Sequence, residues 1–262
     1  MRAYIHIAKK SFLRKSTYKF EYYLGLFGSL LSIFISVAIW KAVYGSESSV
    51  AGISVEEAIS YAVLAILLRT TLTMNEFLID YKIKSGEIAT ELLRPYSFLA
   101  YLFSVIIGEV CFNLWTKVLP LLIVSTWIFR LELFDSWWVL LQFLGSLFLS
   151  YLLMYFFNMI FWLCAFWVHQ TWSIVTIKNA VVLLLSGATI PFWFLPSGLA
   201  ELFEWLPFKN IYFTPLAILL GKAPNENVGV LYAEQTLWIF LFAAAGMLMW
   251  RKAQRKLVIQ GG

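Results

Sequence analysis

The sequence predicts an all-α integral membrane protein, and three observations carry that prediction. Six long apolar stretches alternate with short polar connections along the chain. The 262 residues are 61% hydrophobic and only 13% charged, against roughly a quarter charged in soluble domains. Most of the Lys and Arg residues gather beside the ends of those stretches. Roughly 20 apolar residues, rising about 1.5 Å each, cross a hydrocarbon core about 30 Å thick. Six such stretches leave only short connections and termini, so a single transmembrane domain over 1–262 is expected, with no separate soluble domain.

Residues 2–18 read as an interfacial helix. Tyr4, Ile5, Ala8 and Phe12 fall at helical spacing, while Arg2, His6, Lys9, Lys10 and Arg14 fill much of the opposite side. A solvated basic tail is the competing reading. The first crossing is expected over 21–43, because Tyr22 to Trp40 carries no formal charge. It is too long for the apolar core of a cleavable signal peptide, so it is expected to stay in the mature chain. An acidic connection follows (Glu47, Glu56, Glu57), then a second crossing over 58–79 that Arg69 and Glu76 interrupt. A polar segment, Asp80 to Glu87, leads into Ile88–Pro95.

From Tyr96 to Phe129 the chain is apolar except for Glu109 and Lys117. As a helix that stretch is about 50 Å long, more than the bilayer needs. It must tilt, kink or begin along the interface, with Pro120 a candidate bend. Arg130, Glu132 and Asp135 mark the next turn. A fourth crossing is expected from Trp137 or Trp138 to near Val168, a turn over 169–178, and a fifth crossing over 179–195. Pro191, Pro196, Pro207, Pro215 and Pro224 break up 191–230, which predicts short interfacial or re-entrant helices. The sixth crossing, 231–250, ends at the basic tail.

Charge placement sets the orientation. With six crossings the termini share a side. That side holds Arg2, Lys9, Lys10, Arg14, Lys15 and Lys19, then Lys82, Lys84 and Arg94, then Lys178, and finally Arg251, Lys252, Arg255 and Lys256. The other side holds Arg130, Lys209, Lys222 and, at its border, Lys41. Fourteen against four predicts cytoplasmic termini. The net charge of +5 therefore reads as topology, with attraction to anionic lipid second, and not as nucleic-acid binding.

Catalytic chemistry has little support. Cys111 and Cys164 sit in apolar stretches and read as small buried hydrophobes, and His6 and His169 lie far apart. The sequence contains no phosphate-binding GxxxxGK[ST] motif and no glycine-rich dinucleotide fingerprint. No catalytic residue, metal ligand or cofactor is expected in this chain. Energy for any work must come from a partner or an ion gradient.

The segment Ser85–Pro95 is the most informative. Ser85 can cap a helix, Glu87 suits its first turn, and the helix should stop before Pro95. Two to three turns would present Ile88, Leu92 and Leu93 as an apolar patch. That patch suits a groove in a cytoplasmic partner; lying on lipid or packing on its own neighbours is the alternative.

Ile83-Lys84-Ser85-Gly86-Glu87-Ile88 followed by Leu92-Leu93-Arg94-Pro95 resembles the coupling-helix region of bacterial type 2 ABC exporter permeases. The resemblance is to the branch of about 260 residues often found as paired permeases. Ser186–Pro191, Leu195-Pro196, Leu206-Pro207-Phe208, Tyr212, Pro215 and the closing Val258–Gly262 are similar too. The resemblance implies six transmembrane helices, an N-terminal interfacial helix, a cytoplasmic coupling helix and short extracellular helices between spans five and six. It implies two permeases, identical or homologous, assembled with separate ATP-binding subunits that carry ATP and Mg. Ser85, Gly86, Glu87, Ile88, Leu92, Leu93, Arg94 and Pro95 would receive the force, in a bacterial cell membrane. An amphipathic or hydrophobic compound, such as a drug, lipid or peptide, would be exported.

Arg69 and Glu76, seven apart, and Glu109 and Lys117, eight apart, are costly at membrane depth. They read either as substrate-pathway groups or as structural pairs between helices. Phe192, Trp193 and Phe194 are similarly open, as a stacking cleft or as interfacial packing. Rival classes are an integral-membrane lipid-modifying enzyme, which needs a carboxylate or His cluster not found, and an ion-coupled carrier, which needs matching broken repeats.

Overall fold

Lipid offers no hydrogen-bond partners, so a chain this apolar must satisfy its backbone internally, and helices do so. The computed structural model describes residues 2–17, 19–131, 133, 136–223 and 227–256. Glu132, Asp135, Pro224 and the closing Val258–Gly262, all used in reading the sequence, lie outside them.

Helix α1 (Arg2–Thr17) precedes α2 (Lys19–Tyr44). A two-residue hairpin pairs β1 (Ser49–Val50) with β2 (Ile53–Ser54), its turn made by Ala51 and Gly52 at φ 52° and 75°. Ser54 then caps α3 (Val55–Leu72): its hydroxyl accepts from the Glu57 N–H while the Glu57 carboxylate accepts from the Ser54 N–H. The next elements are α4 (Leu78–Lys84), α5 (Glu87–Leu92) and α6 (Phe98–Asn113). A π-helical turn (Leu114–Val118) joins α6 to α7 (Leu119–Phe129). Then come α8 (Trp137–Cys164), α9 (Trp172–Leu185), a 3-10 turn (Phe192–Phe194), α10 (Ser197–Glu204), α11 (Lys209–Leu219) and α12 (Val228–Lys256).

Among the described residues, four helices can cross a membrane by length and composition: Phe20–Tyr44, Phe98–Phe129, Trp137–Cys164 and Val228–Lys256. The others differ from expectation in instructive ways. The second expected crossing stops at Leu72 rather than residue 79, about 27 Å long. It is buried almost all round, since α3 is the hub between α2, α6, α7 and α11. The turn expected over 169–178 is mostly helix. The fifth apolar helix begins at Trp172 and ends at Leu185, because Lys178 is not a loop charge but a buried one.

In the 96–129 stretch the break falls at Leu114–Val118, just before Pro120. Pro120 sits in the first turn of α7, where the π turn has already interrupted the ladder and its missing N–H costs little. The 191–230 stretch is segmented, yet α11 is neither peripheral nor broken. Every residue of it is buried and it carries Pro215 within the helix.

The core forms around α3, α8 and α11. Helices α8 and α12 run parallel, with Tyr232 against Gly145, Gln235 against Ser146 and Phe242 against Phe157. Glycine permits this approach: a Cβ at Gly145 would lie 2.6 Å from the Tyr232 hydroxyl, and one at Gly246 would overlap Met159. A buried polar knot ties α8 and α12 to α11. Gln235 Nε2 donates to Ser150 Oγ (3.1 Å) and to the Asn210 carbonyl (3.0 Å), and Asn210 Nδ2 donates to Glu234 Oε1 (2.9 Å). Lys209 pairs with Glu234 at 3.2 Å.

Candidate functional site

The helical hairpin α4–α5 stands at the end of the bundle where α1 and the last turns of α12 also lie. Its corner is Gly86, at φ 75°, a conformation that costs other residues their Cβ clearance. The Gly86 N–H bonds back to the Ile83 carbonyl at 3.1 Å and closes α4. Ser85 therefore ends α4, and Gly86 takes the cap position of α5 that the sequence suggested for Ser85. Helix α5 has six residues, shorter than the two to three turns expected.

The apolar patch expected from Ile88, Leu92 and Leu93 is split. Ile88 is buried and Leu92 partly so, both packed on the bundle's own core. Leu93 is 85% exposed. The outward face of the hairpin is made by Ser85, Gly86, Glu87, Ala89, Thr90, Leu93, Arg94 and Pro95.

Beneath that face lies an ion network that pattern-reading did not find. The buried Lys82 ammonium reaches Glu87 (3.4 Å) and Glu91 (3.5 Å) and sits 5.2 Å above the Tyr101 ring. Glu91, itself buried, accepts from the Tyr96 hydroxyl at 2.7 Å and pairs with Arg94 at 3.7 Å. Burial works against the Lys82 charge, but Tyr101, Glu91 and Glu87 together hold its pKa above the ordinary lysine value. The Ser97 N–H donates to the Tyr4 hydroxyl at 3.1 Å, which joins α1 to the same corner. So α4, α5 and the start of α6 form one braced unit.

The stretch entering α4 is fastened to two long helices. Trp162 Nε1 donates to the Asn75 carbonyl (2.9 Å) and Asn158 Nδ2 to Met74 Sδ (3.4 Å), both from α8. Lys178 of α9, wholly buried, donates to Glu76 and to Asn158 Oδ1 (2.6 Å).

The intramembrane charges are placed as follows. Glu76 lies past the end of α3 and pairs with Lys178, not Arg69. Arg69 is exposed, and no carboxylate among the described residues lies within ion-pair distance of it. Glu109 is buried on α6 and faces Arg14 (3.3 Å) and Lys15 (4.0 Å) of α1, not Lys117. Lys117 lies in the π turn, its ammonium against Gly25 of α2. Phe192 stacks on Phe213 (4.8 Å between ring centres), and Trp193 meets Tyr61 and Phe213 edge-on. Lys178 reads in the sequence as a turn charge and Asn158 carries no local signal; only the third dimension brings them to Glu76.

A cavity of about 360 Å³ opens beside the hairpin, lined by Arg14, Lys15, Glu21, Lys82, Glu87 and Glu109 among others. Its walls come from α1, α2, α4, α6 and the first residue of α5, so motion of the hairpin changes its shape.

Residues 29–261 match the family model described as ABC-2 family transporter protein. Curated proteins offer no match to the chain.

Proposed function

Since this chain belongs to the ABC-2 transporter family, a family of membrane transport subunits that work with an ATP-binding partner, we propose that it is an exporter permease. It would move an amphipathic or hydrophobic compound out of the cytoplasm or inner leaflet of a bacterial cell membrane, as one of two identical or homologous permeases. Six crossings are assigned to α2, α3, α6–α7, α8, α9 and α12. Both termini and the α4–α5 hairpin then face the cytoplasm, and the 3-10 turn, α10 and α11 form the segment between the last two crossings, entered from the outer face. The whole of 1–262 is one transmembrane domain. This orientation rests on Lys and Arg placement. Lys178, being buried, drops out of that count without changing its sign.

The observation that carries the proposal is the hairpin. It presents an exposed face while its inner side is braced by Lys82 and Glu91 and fastened through Met74–Glu76 to α8 and α9. A push from a nucleotide-driven partner on Glu87, Thr90 and Leu93 cannot be absorbed locally. It passes through the Glu76–Lys178 pair to α9 and through Trp162 to α8. ATP and Mg on the partner supply the energy; this chain supplies the handle and the path. Arg69, exposed at the inner end of α3, is the group proposed to meet the polar part of the cargo.

The experiment is purification with the partner from a reconstituted exporter. Leu93→Asp is expected to leave ATP-independent folding intact and to reduce transport and drug-stimulated ATPase activity at least tenfold. Unchanged transport in that variant would refute the proposed contact.

A further inference from the structure

A second cleft, of about 240 Å³, lies between α1 and the corner where α5 leads into α6, lined by Ile7, Lys10, Ser11, Arg14, Arg94, Tyr101 and Val105. Every wall residue that is charged at neutral pH is a cation. The carboxylates nearby are already committed: Glu109 sits against Arg14 at 3.3 Å and Glu91 against Arg94 at 3.7 Å. Lys10 has no carboxylate within ion-pair distance among the described residues. The cleft therefore keeps an excess positive charge beside an apolar floor of Ile7 and Val105. The Ser11 hydroxyl in its wall is buried without a hydrogen-bond partner among the described residues.

We propose that this cleft binds the phosphate group of an anionic membrane lipid. A phosphate ester is the ligand that matches this lining, because its oxygens accept from an ammonium and from guanidinium groups, and Lys10, Arg14 and Arg94 line the one cleft. The lipid, rather than a soluble phosphate, is favoured by what surrounds the cleft. Ile5 and Leu13 of the same helix are 66% and 53% exposed, apolar surface that acyl chains would cover. The floor of Ile7 and Val105 suits glycerol and the first methylenes. The inference uses the placement of α1 at the membrane surface and no step of the transport reading.

The full-length protein in mixed micelles is titrated with phosphatidylglycerol or phosphatidylcholine, and bound lipid is counted by native mass spectrometry. Phosphatidylglycerol is expected to be retained in preference. Lys10→Ala is expected to weaken it about fivefold, the effect of one surface cation, and Lys10→Arg to retain it. Lys252→Ala removes the same charge from the exposed tail and is expected to change nothing. Equal loss in Lys252→Ala, or equal retention of phosphatidylcholine, would overturn the site. Displacement by millimolar inorganic phosphate would overturn the lipid as its source.

Discussion

At the scale of single residues, the Glu76–Lys178–Asn158 cluster has the largest consequences. Lys178 has no route to water, so its charge depends on Glu76. Removing one member of a buried pair strands the other, at a cost of about 3–5 kcal/mol. Glu76→Gln and Lys178→Met are each expected to lower the unfolding temperature sharply in detergent, while the double variant recovers most of it. A double variant as unstable as the sum of the singles would show the two do not act as a pair. A milder charge effect sits at the other end of the bundle. The Glu57 carboxylate accepts from the Ser54 N–H and pairs with Lys222, 3.0 Å off. Lys222→Ala is expected to lower the unfolding temperature far less than either Glu76→Gln or Lys178→Met, as suits a part-exposed ion pair.

At the scale of elements, the contact between α1 and α6 makes a direct test possible. Gly108 lets the two helices touch: a Cβ there would overlap the Ala8 carbonyl oxygen, and backbone cannot give way cheaply. Gly108→Leu is expected to lift α1 away, lost from a disulfide crosslink engineered between positions 4 and 97, while α8 and α12 stay packed. Elements were also where reading the sequence succeeded and failed for identifiable reasons. The helix over 2–17, the four long apolar helices and the short helix ahead of Pro95 were legible, because period, length and proline act locally. The ends of α3 and α9 are not, since Glu76 reads as a charge inside the second crossing and Lys178 as a turn charge, when the two pair with each other beyond the end of α3. The two-faced character of α5 was hidden for a related reason. Ile88 and Leu93 look alike in composition, and only the way the hairpin packs on the bundle decides which one is covered. Helix α11 gave no sign of being core, with Lys209, Asn210 and Pro215 in eleven residues.

At the scale of the whole molecule, the prediction concerns sidedness. In a background with Cys111 and Cys164 replaced by Ser, single cysteines at exposed Ser48 and Ser85 are expected to react from opposite faces of intact cells. An impermeant maleimide should label position 48 and spare 85 until the membrane is opened. Labelling of both from outside would reverse or dissolve the six-crossing arrangement. The buried helix α11 has a consequence of its own, for the order in which the protein is made. Its Asn210 and Lys209 are matched by Gln235 and Glu234, which lie some 25 residues further along the chain. When α11 leaves the ribosome those partners are still inside the exit tunnel, and its polar groups have no reason to enter the lipid alone. The segment must wait at the translocon or the outer surface until α12 arrives, then slot between helices already inserted. A chain terminated before residue 228 should therefore stay protease-sensitive in that region and be cleared by quality control, however complete its earlier crossings.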